Sequence, residues 1–283
     1  MTAEQGSAGI STPQDVAGAV AAMAAGAVPL AGATWLLRAP LRHDPMPARM
    51  VSLRAVRDLH DLSLGPAMAS IGAMVTHDAL TLAAAPHADL AGLATAAGAS
   101  ANPGIRRIAT LGGNIATAAF AASDLVPALL AADATVVLAT GGGLQSVPMA
   151  AFLTARDGFG PPGLILRVEI PRSDRRAAHA RLTMRKAGDY PCAIVSVSAE
   201  VAGGTIRDPR IAVGAVEATA RRWTALERLL TGSALDPAQA EAAARGVVAD
   251  FTARDAVDAP GWYRLSVLPV LLRRALTTLQ AEV

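Results

Sequence analysis

Apolar positions change period several times along the chain, and each change predicts an element. Val16, Val20 and Met23 recur at helical spacing after Ser11-Thr12-Pro13-Gln14-Asp15. There a serine or threonine cap, a first-turn proline and an acid predict a helix that ends at Gly26. Residues 28–37 read as a short apolar strand entering a small-residue turn at Gly32-Ala33-Thr34 and then another apolar run through Leu37. After a polar loop over 40–47, residues 49–54 alternate with the period of two expected of a strand. Leu62, Leu64, Met68, Ile71 and Met74 mark a β-like region broken at Gly65-Pro66. Thr76 or Asp78 then caps a helix over 79–85, an Ala-rich helix covers 90–98, and 99–107 is a turn. Residues 125–132 are helical and 134–139 form a strand rich in β-branched residues, with a hairpin turn at 141–143. A loop is expected over 152–163 and a strand over 164–170, stopped by Pro171.

The charged stretch 172–179 reads as a domain boundary. Beyond Arg181 the texture changes to an alternating strand over 193–201, a Gly203-Gly204 hairpin turn and returning strands over 206–215. Amphipathic helices follow over 218–230, 237–251 and 262–279. Strands succeeded by helices predict an α+β layer structure.

At 283 residues the chain can hold two domains with their own cores. Hydrophobic residues make up 52% and charged residues 17%, which excludes disorder, and only 3% are aromatic, so Ala, Val and Leu must build the core. The net charge is +2 with both signs interspersed, which gives nucleic acid no basic stripe to bind. Cys192 is the only cysteine, so neither an intrachain disulfide nor an iron–sulfur cluster held by this chain alone is possible, and the cytoplasm is the natural compartment. The five histidines lack metal-ligand spacing, and no metal is inferred. The uncharged stretch 16–37 is Ala-rich and broken by glycines and Pro29, so no membrane span is expected.

Two places could cradle an anion. In Thr110-Leu111-Gly112-Gly113-Asn114, paired glycines allow positive φ and close approach, so that successive N–H groups converge on a phosphate. Thr110 and Thr117 add hydroxyls, Asn114 adds an amide, and Asp124 ten residues later could accept a ribose hydroxyl. Gly32 and Ala33 with the hydroxyl of Thr34 form the second candidate. Plain turn chemistry remains open for either loop. No nucleophile or general base stands out, and Asp189 reads equally as a turn cap.

The order of these segments resembles the FAD-binding medium subunit of molybdenum-containing hydroxylases, the family of the carbon monoxide and xanthine dehydrogenase flavoproteins. The family's first flavin motif, Ala-Gly-Gly-Thr, a polar residue and Leu, is matched by Ala31-Gly32-Ala33-Thr34-Trp35-Leu36. Its second, Thr-Ile-Gly-Gly-Asn, is matched by Thr110 to Asn114 after Ile105-Arg106. Ile71-Gly72-Ala73 with Thr76-His77 resembles the segment between them, 164–171 the strand near the adenine, Arg185-Lys186-Ala187-Gly188-Asp189-Tyr190 the entry to the C-terminal domain, and Trp262-Tyr263-Arg264 its last helix.

The resemblance implies a FAD-binding domain over 1–172, with subdomains of about 1–55 and 56–172. A C-terminal domain over 178–283 would carry a three-stranded antiparallel sheet and a helical bundle. It implies that the two loops hold the pyrophosphate of FAD, with Ile165 against the adenine. Tyr190 could lie over the isoalloxazine or pack in the core, and Lys186 could stand near the flavin N1 or in solvent. The implied function is electron transfer within an oxidoreductase. A large molybdopterin-binding subunit and a small subunit with 2Fe-2S clusters would be separate chains, arranged as a dimer of heterotrimers. Three departures stand out: Ala33 replaces a glycine and disfavours positive φ, Trp35 replaces a smaller polar residue, and Phe120 enters an altered spacing before Asp124. They leave room for an assembly or regulatory protein that has lost FAD. A self-sufficient flavoprotein oxidase is a further alternative, whereas a nicotinamide-binding dehydrogenase would need a GxGxxG that is missing.

Overall fold

A computed structural model describes residues 9–159, 163–185 and 190–281. The chain builds three sheets in sequence order. The first is parallel, with β1 (Gly9–Ser11) and β2 (Val28–Leu30) flanking β3 (Arg49–Ser52), and α1 (Val16–Ala24) provides the crossover. Asp15, rather than Ser11 or Thr12, caps α1: its carboxylate accepts the Gly18 N–H at 2.8 Å, while Ser11 belongs to β1. A 3-10 helix, Leu36–Arg42, links β2 to β3.

The second sheet is antiparallel in the order β4-β5-β8-β6-β7, from β4 (Leu62–Leu64), β5 (Met68–Gly72), β6 (Thr135–Thr140), β7 (Gly143–Pro148) and β8 (Leu164–Pro171). Between β5 and β6 run the helices α2 (His77–Ala84), α3 (Ala91–Ala99), α4 (Pro103–Arg106), α5 (Leu111–Ala116) and α6 (Leu125–Ala131). The loop expected after Phe152 is instead most of α7 (Met149–Phe159). Its buried Met149, Phe152, Leu153 and Arg156 lie three, one and three residues apart, a helical spacing hidden by a run of small and polar neighbours. The turn expected over 99–107 contains the single helical turn α4, capped by Asn102, whose side chain accepts the Ile105 N–H at 3.0 Å.

The third sheet carries three long antiparallel strands, β9 (Arg176–Thr183), β10 (Pro191–Ala202) and β11 (Thr205–Gly214), and a two-residue edge, β12 (Arg221–Arg222). The charged stretch 172–179, read as a domain boundary, is half strand. Arg172 grips Asp89 at 2.6 Å, whereas Arg175 grips Asp208 at 2.7 Å in the third sheet. Charge here reflects anchoring rather than solvent exposure. The helices α8 (Thr224–Leu230), α9 (Pro237–Val247) and α10 (Gly261–Ala281) complete the domain.

Residues 191–199 of β10 are buried on both faces, although their sequence alternates. One face packs under α10, and the other meets α3 and α6 of the preceding domain. Ser196 and Ser198 tolerate this burial because His179 and Arg175 hydrogen-bond their hydroxyls. The domains thus join through a helix-on-sheet interface, and the main cavity opens beside it.

Candidate functional site

The first small-residue loop, 31–35, leaves β2 and turns into the 3-10 helix. A Cβ on Gly32 would stand 1.8 Å from the Ile108 carbonyl oxygen, so only glycine lets this loop lie against the segment that leads to Thr110. Ala33 takes φ +60, the left-handed conformation that its β-carbon disfavours. The turn keeps the shape glycine would adopt there and carries the strain. The Ala33 carbonyl accepts the Leu37 N–H at 3.0 Å and so starts the 3-10 helix. Arg42 fixes the far end by lying 4.2 Å above the Trp35 ring and donating to its carbonyl at 2.9 Å. Among the described residues nothing accepts the backbone N–H groups of Gly32, Ala33, Thr34 or Trp35. All four residues line a cavity of about 710 Å³. Successive unpaired N–H groups around a left-handed residue form an anion-binding concavity.

The second segment works differently from the sequence expectation. Thr110 caps α5, and neither Gly112 nor Gly113 has positive φ. Leu111 N–H donates to Val75 O at 2.9 Å, Gly112 N–H to Ala73 O at 2.8 Å and Asn114 N–H to Thr110 O at 3.0 Å. Gly113 N–H goes to the Thr110 hydroxyl at 3.2 Å. The donors expected to converge on phosphate are therefore already paired. A Cβ on Gly112 would approach that of Ala73 to 2.7 Å, so this glycine serves close packing of the helix on the strand end. Thr117 donates its hydroxyl to Gly113 O at 2.8 Å, and Asn114 Oδ1 accepts from Ser123. The segment is a rigid wall for the cavity.

Of the residues anticipated from sequence, Ala31, Gly32, Ala33, Thr34, Trp35, Leu36, Thr110, Gly112, Gly113, Asn114, Thr117, Asp124, Ile165 and Tyr190 line this one cavity. Leu111 does not: it is fully buried in the core. Thr76 does not line it either, and its hydroxyl caps α2 by accepting the Ala79 N–H at 3.2 Å. Lys186 and Asp189 lie outside the described residues.

Asp124 borders the cavity at 2% exposure, but its Oδ1 already meets Arg181 Nε at 2.9 Å and His179 Nε2 at 3.2 Å. Both partners stand on β9, so this oxygen of the carboxylate expected at a ribose joins the two domains. Tyr190 is 40% exposed, which excludes the core-packing alternative. Its ring stands edge-on to Phe120 at 4.9 Å, Phe120 lies 5.0 Å from Trp35, and Arg38 donates to the Tyr190 hydroxyl at 2.8 Å. The two departures at Trp35 and Phe120 thus form one aromatic rim.

Sequence reasoning passed over His77, Ser100, Asn102 and Phe120 as cavity residues. His77 is 2% exposed, and its Nε2 makes no hydrogen bond within 3.5 Å among the described residues. Burial pushes its pKa down to about 4; the Thr110 backbone and Asp124 oppose that shift, and Arg106 adds to it. The imidazole is neutral at pH 7.

Four N–H groups without an acceptor among the described residues, largely apolar walls and the hydroxyl of Thr34 suit a ligand with an anionic centre, an aromatic ring and hydroxyls. A dinucleotide flavin has all three, so the residues present fit FAD. The family model described as "FAD binding domain in molybdopterin dehydrogenase" matches residues 6–173, and "CO dehydrogenase flavoprotein C-terminal domain" matches 178–279. The chain belongs to this family, as a FAD-binding oxidoreductase subunit of the molybdenum hydroxylase type. It is 29% identical over 283 residues to the carbon monoxide dehydrogenase medium chain of Afipia carboxidovorans, covering 95% of this chain and 96% of that one. A match to the glyceraldehyde dehydrogenase medium chain of Sulfolobus acidocaldarius, also 29% identical, covers 60% of this chain and 61% of that protein's length. The structure superposes on reconstituted CO dehydrogenase from Oligotropha carboxidovorans with a TM-score of 0.88 at 27% identity, covering 98% of this chain and 99% of the other.

Proposed function

We propose that the chain is the electron-transfer subunit of a multi-subunit molybdenum hydroxylase, passing electrons from iron–sulfur clusters on a partner to an external acceptor. The observation that carries the binding part is the row from Gly32 to Trp35, whose N–H groups have no acceptor among the described residues and which lines the large cavity. There the backbone would neutralise the FAD pyrophosphate by hydrogen bonding, without burying a full counter-charge. Thr34 would add a hydroxyl, Ile165 an apolar surface for the adenine, and the Trp35, Phe120 and Tyr190 rings a dry rim at the flavin end. When bound, FAD supplies the redox chemistry, and the protein supplies orientation and exclusion of water.

Separate partners follow from what this chain lacks. Its one cysteine is buried, and burial raises the thiol pKa, which disfavours the thiolate that metals need. Among the described residues no cluster of three or more His, Cys, Asp or Glu could hold a metal. A large molybdopterin-binding chain and a small iron–sulfur chain would therefore complete the enzyme, as a dimer of heterotrimers in the cytoplasm. Among the described residues no helix is long and apolar enough to cross a membrane. The reading as a protein that has lost FAD drew on Ala33, Trp35 and the altered spacing before Asp124; Ala33 in the left-handed conformation removes the first of these grounds.

The test is a visible spectrum of the purified chain, with mass analysis of the nucleotide released by heat, and co-purification with co-expressed partners. Flavin bands and released FAD are expected. A protein that stays colourless alone, with added FAD and within the co-expressed complex would refute the proposal.

A further inference from the structure

A second cavity, of about 580 Å³, adjoins the first, and Trp35, Phe120 and Tyr190 line both. Their ring centroids stand 5.0 Å and 4.9 Å apart, which is contact distance, so the two spaces share one layer of aromatic rings as a common wall. The other walls come from both domains. Ala121 and Ala122 belong to the first, and the Ala121 carbonyl accepts the Ala215 N–H of the second at 3.1 Å. Arg254, Val257 and Asp258 belong to the second. Small-molecule sites gather in such clefts between domains.

Arg254 is held at three points. Its N–H donates to Val216 O at 2.9 Å, its carbonyl accepts from Arg264 Nε at 3.1 Å, and its own Nε donates to Ala215 O at 3.0 Å. The two terminal nitrogens have no hydrogen-bond acceptor among the described residues. Asp258 Oδ2 stands 4.0 Å from one of them, and Asp258 Oδ1 is taken by Arg264 at 2.8 Å. The Arg254 side chain is 29% exposed, so a ligand can reach it. Burial and then the Arg264 guanidinium push its pKa below the ordinary arginine value against the pull of Asp258, as befits an incompletely countered cation. A guanidinium fixed at Nε with its outer donors open is a receptor for an oxygen that carries or gains negative charge. Around it the cavity is apolar and aromatic, with Val257 and Met184 exposed on it. That combination suits a planar ring bearing a carbonyl. The ring layer narrows the chemistry further. Hydride transfer needs reacting atoms about 3–3.5 Å apart, which an intervening side-chain ring forbids, whereas single electrons can cross such a layer.

We propose that the second cavity binds the external electron acceptor and that this acceptor is a quinone, with its ring against Phe120 and Tyr190 and a carbonyl oxygen on the Arg254 guanidinium. This deepens the electron-transfer reading above and rests on it. Two electrons pass from the reduced flavin one at a time. The flavin's two protons go to water and two protons from water reach the quinone oxygens, so FADH2 and quinone become FAD and hydroquinone. Arg254 meets the negative charge that builds on the quinone oxygen before its proton arrives.

The test uses the FAD-loaded full-length chain as wild type, Arg254→Met and Val257→Glu, and duroquinone, whose fully substituted ring adds no thiol. Equilibrium dialysis against the oxidised chain should show one saturable site. Each variant is expected to weaken it about tenfold while retaining the flavin bands, roughly the worth of one hydrogen bond to a charged group for Arg254→Met. Because Arg254 is anchored at the domain junction, its variant could misfold; Val257 is fully exposed, so Val257→Glu keeps the test open. After anaerobic photoreduction, subsaturating duroquinone should reoxidise both variants about tenfold more slowly than wild type, and NAD+ should neither displace duroquinone nor reoxidise any of the three. A wild type that keeps FAD yet binds no duroquinone, affinity unchanged in Val257→Glu, or reoxidation by NAD+ would each overturn the inference and leave FAD binding intact. A chain that takes up no FAD would overturn the flavin reading and this inference together.

Discussion

The depressed pKa of His77 makes stability depend on pH in a calculable way. The ring is 2% exposed and its pKa is lowered from 6.5 to about 4, with desolvation the largest cause. An unfolded chain takes up this proton below pH 6.5, whereas the folded chain resists it until about pH 4. Between those values the unfolded state binds more protons, so acid favours unfolding. The stability contributed by neutral burial is complete above about pH 7, is lost as pH falls through the window, and levels off below about pH 4. With these two pKa values the linkage relation gives a loss of roughly 0.2 kcal/mol at pH 7 and about 2 kcal/mol at pH 5. The difference, just under about 2 kcal/mol, belongs to this one side chain. Urea unfolding of wild type and His77→Phe at pH 7 and pH 5, with the m-value held common, isolates it. The other four histidines are shared by both proteins and cancel, and any packing cost of phenylalanine is the same at both pH values. Wild type should lose about 2 kcal/mol more than the variant between the two conditions. Equal losses in the two proteins would refute the burial argument.

Other substitutions test the loops and the rim. Gly32→Ala drives a β-carbon into the Ile108 carbonyl and should cost about 3 kcal/mol or more, with loss of bound flavin, read by thermal unfolding and by absorbance. Ala33→Gly should instead stabilise the chain by about 1 kcal/mol and preserve FAD binding, since it removes left-handed strain without moving the donors; a destabilised variant would show that the turn is unstrained. Asp124→Asn removes the charge that Arg181 and His179 share across the domain interface and should cost about 3 kcal/mol, seen as a lower Tm and faster proteolysis between the domains. Tyr190→Phe loses the Arg38 hydrogen bond but keeps the ring, and is expected to hold FAD with an unaltered spectrum, whereas Tyr190→Ala should shift the flavin bands.

Much of this architecture is written in local pattern. The β-branched run through Val136 and Val137, the Gly143 turn and the apolar strand ending at Pro171 place the second sheet, and the Ala31 to Leu36 and Thr110 to Asn114 motifs converge on one cavity. What local pattern could not assign is which loop does which job. Paired glycines at 112 and 113 suggest open donors and positive φ, but the Thr110 hydroxyl takes the Gly113 N–H locally, and hydrogen bonding by Ala73 and Val75 depends on a segment far away in sequence. Conversely, Ala33 looks like a weakened motif, yet the chain holds it at φ +60 because the Gly32 contact with Ile108 and the Leu37 bond to the Ala33 carbonyl leave little other path. Asp124 and His77 depart from expectation for the same reason. The carboxylate is claimed by β9 of the next domain, a pairing invisible before the sheets dock. The histidine, read only as part of a motif, is buried at the cavity wall with Nδ1 on the Ser100 hydroxyl. Residue type restricted the chemistry each position could offer; long-range pairing decided which groups remained free for a ligand, and in this protein the free groups define the site.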